Sequence, residues 1–182
     1  MKSVLISIQP KWVAKIANGE KTIEVRKTAP NCAALCESFK CYIYCTKDKY
    51  EWLYRVDNNG YGKPQSWHGK VVGEFICDNV EWMSMRDCDN ACMTLKEAVD
   101  YAKGKPLYGW HISDLKIYDK PKELREFSPI CSYKNDDGSC QYHKVDCLYQ
   151  QRDYNTGGSV NLVTCGKSIT RAPSNWCYVE EL

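Results

Sequence analysis

The hydrophobic period changes twice within residues 1–26, and this change constrains the fold more than any other feature of the sequence. Residues 4–8 form a continuous apolar run that predicts a buried first strand. Pro10 suits the first turn of a helix, and apolar side chains then recur at helical spacing until Gly19, which is placed to end that helix. Residues 22–26 alternate strictly between polar and apolar side chains, as in a half-buried strand. The chain is therefore predicted to begin with a strand, a helix and a second strand.

The next hundred or so positions add more strands and one more helix. Thr94 and Glu97 are spaced as a capping box, so a second helix is predicted to begin there and to end near Gly104. Runs rich in Tyr, Ile and Val predict further strands at residues 39–46, 69–77, 108–112 and 115–118. A mixed order of strands with two helices between them predicts an α+β fold, built as a small mixed β-barrel with flanking helices.

The segment from residue 130 to residue 171 has few large aliphatic side chains and several glycine-containing turn signals. A stretch of this length without its own core is usually functional, crosslinked or mobile. We therefore predict a barrel at residues 1–129, a cysteine-containing insertion at residues 130–171, and a C-terminal strand within residues 172–182 that returns to the barrel.

The bulk composition excludes several classes of protein. Of the 182 residues, 43% are hydrophobic and 26% are charged, which is typical of a globular domain and not of a disordered or fibrous chain. The net charge is only +2, but residues 1–80 hold 12 lysines and arginines against 8 acidic residues, so an anionic partner would be attracted mainly there. No apolar run is long enough for a transmembrane helix or a signal peptide. We predict a cytoplasmic protein without a membrane partner.

Twelve cysteines are many for a chain of this size. In a reducing compartment they are expected as thiols or metal ligands rather than as disulfides. The insertion carries one set, Cys131, Cys140, Cys147 and Cys165, and His143 could replace any one of them. Four thiolates around a zinc ion would supply folding free energy that burial does not supply in this segment, but no close Cys-x2-Cys pair is present. Zinc is one interpretation and a loop with free thiols is the other; no other cofactor is predicted.

The strongest local signal is the segment from Gly19 to Arg26. Lys21 lies where the helix passes into the strand, and Glu24 and Arg26 project from one face of that strand. The two cations suit a phosphate or carbonyl oxygen, and the carboxylate suits an exocyclic amine or a ribose hydroxyl. The alternative is a solvated strand face on which Glu24 and Arg26 only offset each other's charge.

Residues near this segment offer further candidates. Gln9 lies at the junction of the first strand and helix, where its amide would either read a base edge or act as a helix cap. Trp12, Tyr44, Trp110 and His111 could stack on an unpaired base, although aromatic residues at such spacings are more often core residues.

The segment Gly19-x-Lys21-x-x-Glu24-x-Arg26, which follows residues 5–10 and the first helix, resembles the signature of ASCH domains. These domains belong to the PUA-like group of small β-barrels. The segments at 69–75 and 108–121 resemble the same family in the same order, so the resemblance covers residues 3–125. It implies a cleft beside the first helix, lined by Lys21, Glu24 and Arg26 and suited to RNA, another single-stranded nucleic acid or a nucleoside.

A subset of short ASCH proteins resembles this chain and hydrolyses acyl groups from N4-acylated cytidine through a Lys-x-x-Thr-x-Arg pattern. Here Lys21 and Arg26 match, but Glu24 occupies the position of the Thr, and Thr22 lies two residues away. A carboxylate cannot replace a hydroxyl nucleophile, although it could orient water as a general base. The favoured function is therefore a binding module, and a nucleoside amidohydrolase is the alternative. A protein-interaction domain with the insertion as its working surface is a third possibility.

Overall fold

The computed structural model describes residues 3–30, 38–47, 67–130 and 168–182, and the backbone of two further strands within 53–65. Two helices, α1 (Pro10–Ala17) and α2 (Leu95–Ala102), and two short 3₁₀ turns (Met85–Asp87 and Leu124–Glu126) are present in these residues. The strands are β1 (Ser3–Ile8), β2 (Ile23–Arg26), β3 (Phe39–Cys45), β4 (Leu53–Val56), β5 (Gly62–Gln65), β6 (Lys70–Cys77), β7 (Val80–Trp82), β8 (Tyr108–His111), β9 (Ser113–Glu123) and β10 (Trp176–Val179).

The larger sheet has five strands in the order β10-β1-β3-β6-β9. β1 and β3 are parallel, with Ile6 opposite Ile43, and the chain between them contains α1 and β2. All other neighbours in this sheet are antiparallel. A second sheet has the order β2-β8-β7, and β4 pairs with β5. β10 thus brings the C-terminal segment back beside the first strand.

β1 is apolar at nearly every position because both of its faces are covered. Val4, Ile6 and Ile8 lie in the main core with residues of α1 and the facing strands, whereas Leu5 lies in a second core cluster on the other face. An unbroken apolar run is the pattern expected of a strand that is buried on both faces. β1 is therefore the central element of the fold, and it holds α1 and β10 in place around the candidate site.

The predicted mixed α+β class is confirmed, and both helices begin where the sequence placed them. The strands differ from the prediction in their arrangement: over the described residues they form three separate sheets, without hydrogen bonds that would close one barrel. The strand predicted at residues 115–118 is longer, because β9 runs from Ser113 to Glu123 and includes Pro121. Two further strands, β4 and β5, lie in the polar stretch after β3, where the sequence pattern predicts none.

Several cysteines are small core residues. Cys41 and Cys45, on one face of β3, and Cys77 at the end of β6 are buried in the main core. The part of the chain that the structure describes has no helix long and apolar enough to cross a membrane. The division into a barrel, an insertion and a returning strand stays a prediction, because residues 131–167 lie outside the described residues.

Candidate functional site

The end of α1 positions the Gly19–Arg26 segment. Gly19 has a φ of +76°, a left-handed conformation that favours glycine, and it follows the last turn of the helix as predicted. The backbone N–H groups of Glu20 and Lys21 then both donate to the carbonyl oxygen of Lys15, at 2.9 and 3.1 Å. This tight turn directs the Lys21 side chain away from the solvent side of the helix and starts β2 at Ile23.

The polar face of β2 is buried. Lys21, Glu24 and Arg26 are only 2%, 5% and 7% exposed. The alternative of a solvated strand face is therefore wrong for these residues. The predicted alternation of β2 is correct, since Ile23 and Val25 pack into a third core cluster on the opposite face, towards α2. The solvent exposure that this alternative assigned to the charged face is wrong, because that face is covered as well.

The three charged side chains form one network, which we call the trio. One carboxylate oxygen of Glu24, Oε1, lies 2.8 Å from Nη2 of Arg26, and the other, Oε2, lies 3.6 Å from Nζ of Lys21. Lys21 Nζ also donates to the carbonyl oxygen of Ala91, at 2.7 Å. The carboxylate is therefore held between two cations, one at each of its oxygens.

Arg26 connects the trio to β1 and to the C-terminal segment. Its Nη2 donates to the carbonyl oxygen of Ser7 at 2.7 Å, and its Nη1 donates to Oδ1 of Asn175 at 2.8 Å. Asn175 is oriented in turn, because its Nδ2 donates to Oγ1 of Thr28 at 3.0 Å. The Nε of Arg26 is buried and has no hydrogen-bond partner within the described part of the chain. This N–H donor of the guanidinium is therefore unused.

Burial controls the charge state of this network. It lowers the pKa of the Lys21 ammonium below its usual value, and the neighbouring Glu24 carboxylate only partly opposes this shift. Burial also raises the pKa of the Tyr101 phenol, so that this side chain stays neutral to higher pH than usual. The site thus contains a lysine that gives up its proton more readily than a lysine in water.

The trio lines a cavity of about 460 Å³. Two aromatic side chains, Trp12 from α1 and Tyr101 from α2, also line this cavity, and the Lys21 ammonium lies 5.0 Å from the centroid of the Trp12 ring. The lining consists of Ser7, Gln9, Trp12, Lys21, Glu24, Val25, Arg26, Thr46, Met93, Tyr101, Pro173 and Ser174. All four residues predicted from the sequence for a binding cleft are therefore brought together at one cavity.

Gln9 and the predicted aromatic residues have different positions. Gln9 occupies the N-cap position of α1, but its side chain makes no capping hydrogen bond, and it is an exposed part of the cavity wall. Trp110 and Tyr44 are buried in core clusters, as the alternative predicted. His111 differs from these core residues: it is exposed, and its Nδ1 lies 2.6 Å from Oδ1 of Asp78.

Sequence reasoning missed the parts of the site that come from distant segments. Ser7 gave no signal, because it lies inside an apolar run, and its contribution to Arg26 is a backbone carbonyl. Asn175 is separated from Arg26 by 149 positions, and no local pattern pairs them. Tyr101 and Met93 lie in or beside a segment whose pattern indicates only a helix. The place of these residues in the site depends on how β10 and α2 pack around β2.

The proposed zinc ligands Cys131, Cys140, Cys147 and Cys165, and the substitute His143, lie outside the described residues. Within the ranges that the structure describes, no group of three or more histidine, cysteine or acidic side chains is arranged to hold a metal ion. Zinc at the insertion and a protein-binding role for it stay predictions.

Comparison with protein-family models and with curated protein sequences gives no match. Among solved structures, the chain is similar to the ASCH protein of Zymomonas mobilis, at 21% identity and a TM-score of 0.50, over 68% of this chain and 74% of that one. Two point variants of the same protein match at 19% and 18% identity, with TM-scores of 0.49 and 0.48, over 68% of this chain and 77% and 75% of theirs. At this identity the likeness concerns the fold, and the fold is ASCH-like, as the sequence resemblance predicted.

Proposed function

We propose that this protein binds RNA or another single-stranded nucleic acid by holding one unstacked base in the cavity beside α1. The observation that carries this proposal is the trio itself: Lys21, Glu24 and Arg26 are each more than nine-tenths buried, and all three line one cavity. Burying charges costs free energy that their mutual attraction often fails to recover. Hydrogen bonds to a polar ligand would offset part of the free energy that burying these three charged groups costs.

The size of the cavity favours a base over a duplex. A volume of about 460 Å³ lies within the range of about 300–1,000 Å³ that is typical of small-ligand sites. A base taken out of its stack needs an apolar surface for its faces and polar groups for its edge. Trp12 and Tyr101 supply aromatic surface, and the trio supplies polar groups, so both requirements are met in one cavity.

Cations close to these aromatic side chains suit the nucleic-acid backbone. The ammonium of Lys11 lies 4.3 Å from the ring centroid of Trp12, and that of Lys27 lies 4.7 Å from the ring centroid of Tyr101. Proteins that bind single strands combine stacking surfaces with positive charge along the phosphates. Phosphates on either side of the held base would therefore meet Lys11 and Lys27.

Fluorescence anisotropy with a labelled single-stranded RNA of mixed sequence tests the proposal. We expect Lys21→Met to weaken binding about tenfold or more, because a hydrogen bond to a charged group is lost. Lys15→Met is the matched control, since Lys15 is also paired with a glutamate but is exposed on α1. Equal affinities in the wild type and Lys21→Met, or equal losses in both variants, would remove the cavity from the binding surface.

A second candidate is hydrolysis of an acylated nucleoside in the same cavity. The lowered pKa of Lys21 favours it, because a lysine that gives up its proton more readily is better able to accept one from an attacking water. Glu24, 3.6 Å from the ammonium, would orient that water. Purified protein incubated with N4-acetylcytidine and followed by ultraviolet absorbance decides the matter. Turnover that disappears in Glu24→Gln would support hydrolysis, and no turnover by the wild type would reject it.

A further inference from the structure

We propose that the cavity selects a base with a uracil-type edge, in which a ring N–H lies between two carbonyl oxygens. This inference rests on the proposed function, that is, on an unstacked base being held in the cavity. It follows from the order of hydrogen-bonding groups in the trio: Lys21 is a donor, Glu24 is an acceptor and Arg26 is a donor. A ligand edge that complements this order reads acceptor, donor, acceptor.

The order is fixed by the ion pairs. Oε1 of Glu24 faces Arg26 at 2.8 Å and Oε2 faces Lys21 at 3.6 Å, so the two cations lie at opposite ends of one carboxylate. Arg26 is held further by Ser7 and Asn175, at 2.7 and 2.8 Å, which prevents it from turning away. The donor-acceptor-donor order is therefore preorganised, because no side chain has to rearrange before a ligand meets it.

Each member of the trio keeps hydrogen-bonding capacity for a ligand. An ammonium has three N–H donors, and those of Lys21 that are assigned point to Ala91 and Glu24, which leaves one. A carboxylate accepts at both oxygens more than once, so its contacts to the cations do not saturate Glu24. The guanidinium of Arg26 has five N–H donors, of which the contacts to Glu24, Ser7 and Asn175 use three.

Other bases fit this order less well. Uracil and thymine present a carbonyl oxygen, an N–H and a second carbonyl oxygen, which match Lys21, Glu24 and Arg26 in turn. Cytosine and adenine carry an amine beside an acceptor, so one cation would be left without an acceptor or would face N–H groups. Guanine would match at its carbonyl oxygen and ring N–H, but its exocyclic amine would face the second cation. A buried donor that faces another donor is strongly disfavoured.

Titration of the unmodified protein with single-stranded RNA homopolymers tests the inference without a variant that has to fold. We expect oligouridine to bind about tenfold or more tightly than oligocytidine, since one matched base edge discriminates by about that factor or more. Methylation of N3 throughout the oligouridine removes the central N–H but keeps the carbonyl oxygens and the phosphates. This methylated strand is the matched control, and we expect it to lose the whole advantage of uridine.

The outcomes separate this inference from the proposed function. Equal affinity for oligouridine, oligocytidine and the methylated strand, or a preference for cytidine, would overturn the selection of a uracil-type edge and leave nucleic-acid binding standing. Binding of none of these strands and of no mixed-sequence RNA would overturn both. A uridine preference that survives N3 methylation would also overturn the inference, because Glu24 would then not read the N–H.

Discussion

Two lysines, six positions apart in the chain, are each paired with a glutamate, yet burial gives them opposite chemistry. Lys15 lies 3.0 Å from Glu20 at the surface, and this partner raises the pKa of Lys15. Lys21 lies 3.6 Å from Glu24 inside the cavity wall, and burial lowers the pKa of Lys21 despite its partner. The comparison shows that desolvation, rather than pairing, determines what a lysine can do in this fold.

The same difference separates the energetic roles of the two pairs. An exposed pair gains little, because water already solvates both charges and salt screens their attraction. A buried network pays a desolvation cost in every molecule, and removing one member leaves the others without compensation. The trio is therefore sensitive to substitution in a way that the surface pair is not, and the following predictions test this contrast.

The largest effect is expected for Glu24→Ala. This change leaves the buried ammonium of Lys21 and the guanidinium of Arg26 facing each other without a counter-charge, so we expect a loss of about 3–5 kcal/mol in the free energy of unfolding. Urea denaturation measures it, and Glu20→Ala is the surface control, for which we expect no resolvable loss. If the two variants lost the same stability, burial would not distinguish the two pairs.

An intermediate effect is expected for Asn175→Ala. The change removes the acceptor for Nη1 of Arg26, and a hydrogen bond to a charged group contributes about 1.5–3 kcal/mol to stability. RNA affinity should fall together with the unfolding free energy, because the guanidinium is no longer held in position. Asn90→Ala is the control, since Asn90 reaches β2 through its backbone carbonyl oxygen. A wild-type affinity in Asn175→Ala would show that Arg26 needs no positioning from the C-terminal segment.

The smallest effect is expected in the pH dependence of stability. The folded-state pKa of Lys21 is lower than its ordinary value of 10.5, so between these two values the unfolded chain binds more protons and stability rises with pH. One proton contributes at most about 1.4 kcal/mol per pH unit, and Lys21→Met should remove this rise.

Lys15 should behave in the opposite sense. Its folded-state pKa is raised, so its contribution to stability is present below pH 10.5 and is lost as the pH rises through the raised pKa. Lys15→Met should therefore remove a fall in stability above pH 10.5, whereas Lys21→Met removes a rise in stability below pH 10.5. Unfolding curves of the three proteins across both windows give the two slopes, and equal signs would contradict the comparison.

How much of this arrangement the sequence could predict depends on the distance over which each contact acts. The strand-helix-strand start and the glycine that ends α1 are local, and they were predicted. The alternation in β2 correctly separated Ile23 and Val25 from the trio. The burial of the charged face of β2 could not be predicted, because this face is covered by Ser7 on β1 and by residues around 173–175, which are distant in sequence.

The central claim is that a base occupies the cavity formed around the trio. Ultraviolet cross-linking of the bound single-stranded RNA, followed by mass spectrometry of the modified peptides, tests it most directly. The account predicts cross-links at Trp12 or Tyr101, the aromatic side chains that line the cavity. Cross-links confined to peptides that contain no cavity residue, with RNA affinity intact, would contradict it.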